Sequence, residues 1–131
     1  MSPELLAAGR SRYVSLTTFR RTGVGVATAV WIAEEQDALI VVTGAGSGKA
    51  KRLRRDPRVE LRACTMRGRV LPGAPVARGT AELVTDPAEQ HRLLAGHRRK
   101  YGLQFRAYRA VERLLARGTG PGELVLRITD A

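Results

Sequence analysis

Leu39-Ile40-Val41-Val42-Thr43-Gly44-Ala45-Gly46-Ser47-Gly48-Lys49-Ala50-Lys51-Arg52-Leu53-Arg54-Arg55-Asp56-Pro57-Arg58 is the stretch on which the fold turns. Its four leading apolar residues predict a buried strand, and the three glycines between positions 44 and 48 predict a loop. The basic segment closed by Asp56-Pro57 predicts a short helix. Strand, glycine loop and helix start make an anion cradle. Glycine lets the backbone approach a ligand, and a helix N-terminus offers unpaired N–H groups with a partial positive charge. Ser47 and Lys49 add a hydroxyl and an ammonium, and phosphate is the anion such a cradle suits.

The stretch is not a nucleotide-triphosphate loop. That motif needs four residues between its glycines and a Ser or Thr after the lysine to ligate magnesium. Here three residues separate Gly44 from Gly48, and Ala50 follows Lys49. The chain on the N-terminal side argues the same way. Val24 to Ala33 predicts a long strand, and the polar turn Glu34-Glu35-Gln36-Asp37 leads from it into Ala38 to Thr43. So short a connection makes an antiparallel hairpin, because a parallel crossover needs a dozen residues or more. The bland alternative is a glycine-rich turn followed by a solvated basic helix.

Working outward, Pro3 to Arg10 predicts a short helix with Ser2 as N-cap, an extension over residues 1–12 that lies on the barrel or on a partner subunit. Tyr13 to Phe19 predicts a strand, and Arg20 to Gly23 the turn after it. Beyond the basic helix, Val59 to Thr65 alternates with period two. Arg69 and Val70 begin a strand interrupted by Pro72-Gly73-Ala74-Pro75 that resumes from Val76 to Val84. Asp86, Pro87 and Glu89 mark a helix start, with one helix expected from Pro87 to Lys100 and its end at Gly102. Leu103 to Arg117 predicts another, striped by Phe105, Tyr108, Val111, Leu114 and Leu115, then broken by Gly118-Thr119-Gly120-Pro121-Gly122. Glu123 to Thr129 is the closing strand. The expectation is a mainly β fold of one domain over residues 1–131: six antiparallel strands, a short helix after the third and a helical pair before the last.

The 131 residues, 44% of them hydrophobic, suffice for an ordinary core. No apolar run approaches bilayer length, and the single cysteine, Cys64, suits a reducing compartment; a cytoplasmic protein without a membrane partner is expected. The net charge of +11 raises the prior for a polyanion, although 23 basic residues that are nearly all arginine also fit a bias toward GC-rich codons. Residues 49–58 hold six basic residues and one acidic residue, a local charge of +5. A solvated face, a multiply anionic small molecule and nucleic acid are three readings of that cluster. Nucleic acid is disfavoured because aromatics are 5% of the chain and none alternate as a stacking surface requires.

His91 and His97 stand six apart, with no carboxylate or cysteine at ligand spacing, so no metal site is expected and both read as surface or packing residues. Cys64 reads as a small core residue. No catalytic acid, base or nucleophile is assigned. Hard chemistry in such a protein comes from a cofactor.

With the strands placed, the sequence resembles the pyridoxamine-phosphate-oxidase-like superfamily of split β-barrel flavin and deazaflavin oxidoreductases, and within it the branch that uses coenzyme F420. The residues carrying the likeness are Thr18-Phe19-Arg20-Arg21-Thr22-Gly23, Val26-Ala27-Thr28-Ala29-Val30-Trp31 and the run from Ser47 to Val59. Cys64 to Arg69 and Gly79-Thr80-Ala81 add to it. The resemblance implies a six-stranded, FMN-binding-like barrel that forms a homodimer, with the cofactor groove at the interface. It implies that Ser47, Gly48 and Lys49 hold the cofactor phosphate with Arg52 nearby, that Thr43 reaches the same end, and that Thr28, Ala29, Val30 and Trp31 lie against the ring. Ala29 departs from the pattern, since F420-type relatives often carry proline there. The function implied is an F420-dependent oxidoreductase moving hydride to or from a small organic substrate. FMN-dependent chemistry is the alternative, followed by a flavin, deazaflavin or haem binding protein without turnover, and more remotely a nucleic-acid-binding protein. A polyglutamate tail on F420 gives the arginines beyond Lys49 something to pair with, which FMN does not.

Overall fold

The computed structural model describes residues 1–107 and 123–131. In chain order the elements are α1 (Pro3–Arg10), β1 (Tyr13–Phe19), β2 (Gly25–Trp31), β3 (Ala33–Glu35), β4 (Ala38–Gly44), α2 (Gly48–Arg55), β5 (Arg58–Cys64), β6 (Ala77–Val84), α3 (Pro87–Leu93), α4 (Ala95–Tyr101) and β7 (Glu123–Asp130). The strands form a curled antiparallel sheet in the order β2-β1-β5-β6-β7-β4-β3. Its two edge strands, β2 and β3, are consecutive in the chain. The expected long strand from Val24 to Ala33 is therefore one strand bent at Ile32, which is why seven strands stand where six were expected. Before the bend it pairs with β1, with Tyr13 opposite Trp31; after it, with β4, with Ala33 opposite Ile40.

The bend is stabilised from α4. Lys100 Nζ donates to the carbonyls of Gly9 (2.9 Å), Ser11 (2.6 Å) and Ile32 (2.7 Å), matching an ammonium's three protons to three acceptors. The Tyr101 hydroxyl accepts from Ile32 N–H at 2.9 Å and has the carbonyls of Arg12 (2.7 Å) and Ile32 (2.9 Å) within reach of its own proton. Backbone groups that leave the ladder at Ile32 are thus satisfied by side chains, as buried polar groups must be.

The main core fills the curl with Val14, Leu16, Ile32, Leu39, Val41, Leu61, Leu126 and Ile128, joined by Leu5 of α1 and Leu53 of α2. Leu5 is fully buried there, so α1 is part of the barrel's packing rather than an appendage. On the other side of β4 and β7, Ile40 and Val125 pack against Leu93, Leu94, Tyr101 and Phe105. This two-sided burial explains the unbroken apolar run at the start of β4.

Several expectations change in detail. The hairpin turn between β3 and β4 is tighter than the polar run Glu34 to Asp37: it is the pair Gln36 (φ 52°) and Asp37 (φ 61°), both left-handed as a type I′ turn requires. The single helix expected from Pro87 to Lys100 is two, parting at Leu94, whose φ of −80° and ψ of 0° let its N–H bond Arg92 and Gln90 carbonyls. The break lets adjacent Leu93 and Leu94 both be buried while Gly96 is pressed onto β3. Arg69 and Val70 contribute an isolated bridge, Cys64 to Val70, instead of a strand start. Residues 103–107 are helical as expected; Tyr108, Val111, Leu114, Leu115 and the break at 118–122 lie outside the described residues. Among the described residues no helix is long and apolar enough to cross a membrane.

A Cβ on Gly96 would sit 2.5 Å from the backbone carbonyl oxygen of Glu34. Gly96→Ala is therefore expected to lift α4 from β3 and lower stability by about 1–3 kcal/mol, the usual cost of overpacking. Urea denaturation measures it, and an unchanged midpoint would contradict the close approach.

Candidate functional site

β4 ends at Gly44, and the chain turns through Ala45 and Gly46 into α2. Ser47 caps that helix: its Oγ accepts from Ala50 N–H at 3.2 Å and lies 3.1 Å from Thr43 Oγ1. The N–H groups of Gly48 and Lys49 fall in the first turn, where helix geometry leaves donors without an intrahelical acceptor. The helix has no acidic residue in its first turn and carries Arg52, Arg54 and Arg55 in its last. Basic groups there suit the negative end of the helix dipole, while the positive end keeps its capacity for an anion. Lys49 is half-buried beside that end. Burial, aided by the charge of Arg52, holds its ammonium below the usual lysine range.

The arginines beyond Lys49 are engaged by the protein itself. Arg52 Nε donates to buried Thr18 Oγ1 at 2.6 Å, Arg54 Nη2 to the Ala45 carbonyl at 3.0 Å, and Arg55 Nη2 to the Phe19 carbonyl. Arg58 pairs with Asp56 at 2.7 Å, and its hydrogen bonds hold that carboxyl at about 2. These contacts fasten α2 and the start of β5 to β1 and to the glycine loop.

At the other end of the site, Trp31 stacks on Tyr101 with centroids 4.6 Å apart and planes 11° from parallel, and Phe105 stands tilted 6.3 Å from it. His97 is buried between Tyr101 (5.7 Å) and Phe105 (5.5 Å). These elements line a half-open cavity of about 430 Å³. It is lined by Thr43, Ser47 and Lys49 from the end of β4 and the start of α2, and by Ala29, Val30 and Trp31 from the end of β2, with Phe105, Tyr13, Val42, Gly44, Met66 and His97 completing the lining. The volume is that of a small-molecule site. An anion-holding end joined to a flat apolar wall fits a planar ring that carries one phosphate, the form shared by FMN and the deazaflavin.

Of the residues singled out in the sequence, Ala29, Val30, Trp31, Thr43, Ser47 and Lys49 come together on this cavity, while Thr28, Gly48 and Arg52 do not line it. The Thr28 hydroxyl is buried, without a hydrogen-bond partner among the described residues. Arg52 is drawn to β1 by Thr18, its guanidinium so close over Gly48 that a Cβ there would meet Nη1 at 2.9 Å. Tyr13, Met66, His97 and Phe105 were not anticipated as lining residues. His97 and Phe105 arrive from the helical segment after β6, and no local pattern marks a histidine that tertiary packing turns inward. Cys64 is buried with its thiol pushed up by desolvation, the state of an inert core cysteine. Among the described residues no cluster of His, Cys, Asp and Glu is suited to a metal ion.

Fold and cavity together define a split β-barrel of the flavin-binding kind. The family model for pyridoxamine 5'-phosphate oxidase matches residues 1–121, and the chain belongs to that family. No curated protein gives a significant match. Among solved structures, a conserved hypothetical protein from Mycobacterium tuberculosis is similar at 26% identity, over 99% of this chain and 81% of its own, with a TM-score of 0.69. The heme storage protein HutZ from Vibrio cholerae is similar at 14% identity, over 99% and 89% of the two chains, with a TM-score of 0.66. An F420 reductase is similar at 18% identity, over 100% and 95%, with a TM-score of 0.58. At the lower identities the likeness is one of fold.

Because Lys49 has a lowered pKa when folded, the unfolded chain binds more protons between its two pKa values, and stability rises with pH across that window. Lys49→Met should flatten the rise and leave the unliganded protein at least as stable. Anion binding favours the charged lysine, so it takes up a proton, and affinity falls as pH climbs through the lowered pKa. Calorimetry in buffers of different ionisation enthalpy reads that uptake; pH-independent binding without proton uptake would contradict the role of Lys49.

Proposed function

We propose that this protein is an oxidoreductase that binds the deazaflavin coenzyme F420, with the ring against Ala29, Val30 and Trp31 and the phosphate at Ser47, Lys49 and the first turn of α2. The observation that carries the reading is a single cavity joining that apolar wall to that cationic end. When bound, the coenzyme supplies hydride chemistry at C5 of its ring, toward or from a small organic substrate. The protein's own contribution is positional. Lys49 and the α2 N–H groups fix one end, the hydroxyls of Thr43 and Ser47 orient donors there, and the aromatic wall excludes water from the ring face. We further propose a cytoplasmic homodimer in which a second copy completes the open side of the groove.

FMN-dependent chemistry is the second reading. It is favoured by the intramolecular engagement of Arg52, Arg54 and Arg55, which leaves the arginines less able to follow a polyglutamate tail. The same ends of the cavity serve either cofactor, so the phosphate contacts are common to both.

Fluorescence titration of the purified protein with F420 and with FMN separates the readings. The expected result is saturable F420 binding tighter than FMN, with Lys49→Ala weakening it about 10- to 100-fold, the value of a charge-assisted hydrogen bond. Binding to neither compound would overturn the proposal, and a Lys49→Ala variant that binds like the parent would remove the assigned phosphate end.

A further inference from the structure

Tyr101 does not line the cavity, yet its ring is the surface on which Trp31 rests, at 4.6 Å and 11°. It is itself fixed more firmly than packing alone requires. Its hydroxyl is tied to the backbone of Ile32, the residue after Trp31, and reaches the Arg12 carbonyl at the start of β1. Its ring lies under the Arg12 guanidinium (5.0 Å) and near Lys100 Nζ (5.5 Å). Lys100 in turn grips Gly9, Ser11 and Ile32. Two successive side chains at the end of α4 therefore refer the indole plane to the backbone of the bend at Ile32 and to the chain between α1 and β1. Trp31 ends β2, where the ladder stops, and its ring stacks on Tyr101 and packs beside Phe105 at a tilt, geometries in which an aromatic pair gains attraction beyond its buried area.

We propose that Tyr101, braced by Lys100, is a positioning residue: without touching the ligand it fixes the plane of Trp31, and so sets how well the ring wall of the cavity receives a flat cofactor. The inference rests on the functional reading above for its ligand, but its structural half concerns Trp31 alone. Because Trp31 is the only tryptophan in the chain, that half has its own optical signal.

Three variants of the full chain test it: Tyr101→Leu, which removes ring and hydroxyl; Tyr101→Phe, which keeps the ring; and Lys100→Met, which keeps the stem and removes the three carbonyl ties. Each is read by far-ultraviolet circular dichroism for folding, by the tryptophan band in the near-ultraviolet, and by the Kd for F420 and FMN. Tyr101→Leu is expected to fold, to lose most of the tryptophan band and to weaken cofactor binding by about threefold to tenfold, the range an aromatic pair is worth. Tyr101→Phe should restore the band and bring affinity back to within about threefold of the parent, because the stack survives. Should Tyr101→Leu fail to fold, Lys100→Met carries the test, with a weakened band and lower affinity expected.

A folded Tyr101→Leu protein (or Lys100→Met in its place) that keeps both the parent's band and its affinity overturns the proposal, as does a lost band with unchanged affinity. A parent protein that binds neither cofactor overturns the functional reading instead, while the tryptophan spectra still decide whether Tyr101 sets the indole.

Discussion

The backbone of Ile32 leaves the hydrogen-bond ladder where β2 passes into β3, and the side chains of α4 take over its polar groups. The course of the strand, and with it the place of Trp31, depends on that substitution. A straight strand would continue beside β1 and leave β4 without its hairpin partner; a bent strand whose peptide groups lacked partners would carry two buried, unsatisfied groups, at about 1–3 kcal/mol each. Lys100 and Tyr101 remove the penalty and curl the sheet back on itself. Trp31 and the end of β4 then face one cavity, and residues far apart in the chain become neighbours.

The opposite end of the cavity follows a different rule. Ser47 serves α2 as its cap and lies against Thr43, so the glycine loop has a defined path even though its residues favour none. The arginines of α2 anchor the helix to β1 and the loop, and Lys49 is left half-buried at the cavity with its charge disfavoured. A desolvated cation is a stability cost in the empty protein and an attraction for an anion that enters. Strain of this kind, offset by firm anchoring elsewhere, is a common feature of binding sites.

Much of this was legible in the sequence, for physical reasons that differ by element. Alternation in Val59 to Thr65 located β5 because one face of that strand is wet, and the Asp86-Pro87 pair located α3 because a cap and a fixed φ act locally. The short basic helix before Asp56-Pro57 was equally local, although its cap, Ser47, had been read only as a hydroxyl for an anion. The bend at Ile32 and the break at Leu94 were not legible: neither residue is glycine or proline, and both accompany the docking of α4 on β3, a contact between segments far apart in the chain. Ser47 and Lys49 were legible from their own stretch, Thr43 came only through the resemblance, and His97 and Phe105 needed the helices to be docked. Arg52 shows the reverse case, a residue in the right stretch that a buried threonine draws elsewhere.

The proposed function requires one cavity to hold a flat ring beside Trp31 and its phosphate at the start of α2. A crystal structure of the protein with F420 or FMN tests it most directly. Ring density is expected against Ala29, Val30 and Trp31, with a phosphate within hydrogen-bond distance of Ser47 and Lys49; a ligand bound elsewhere, or with its phosphate away from α2, would overturn the assignment.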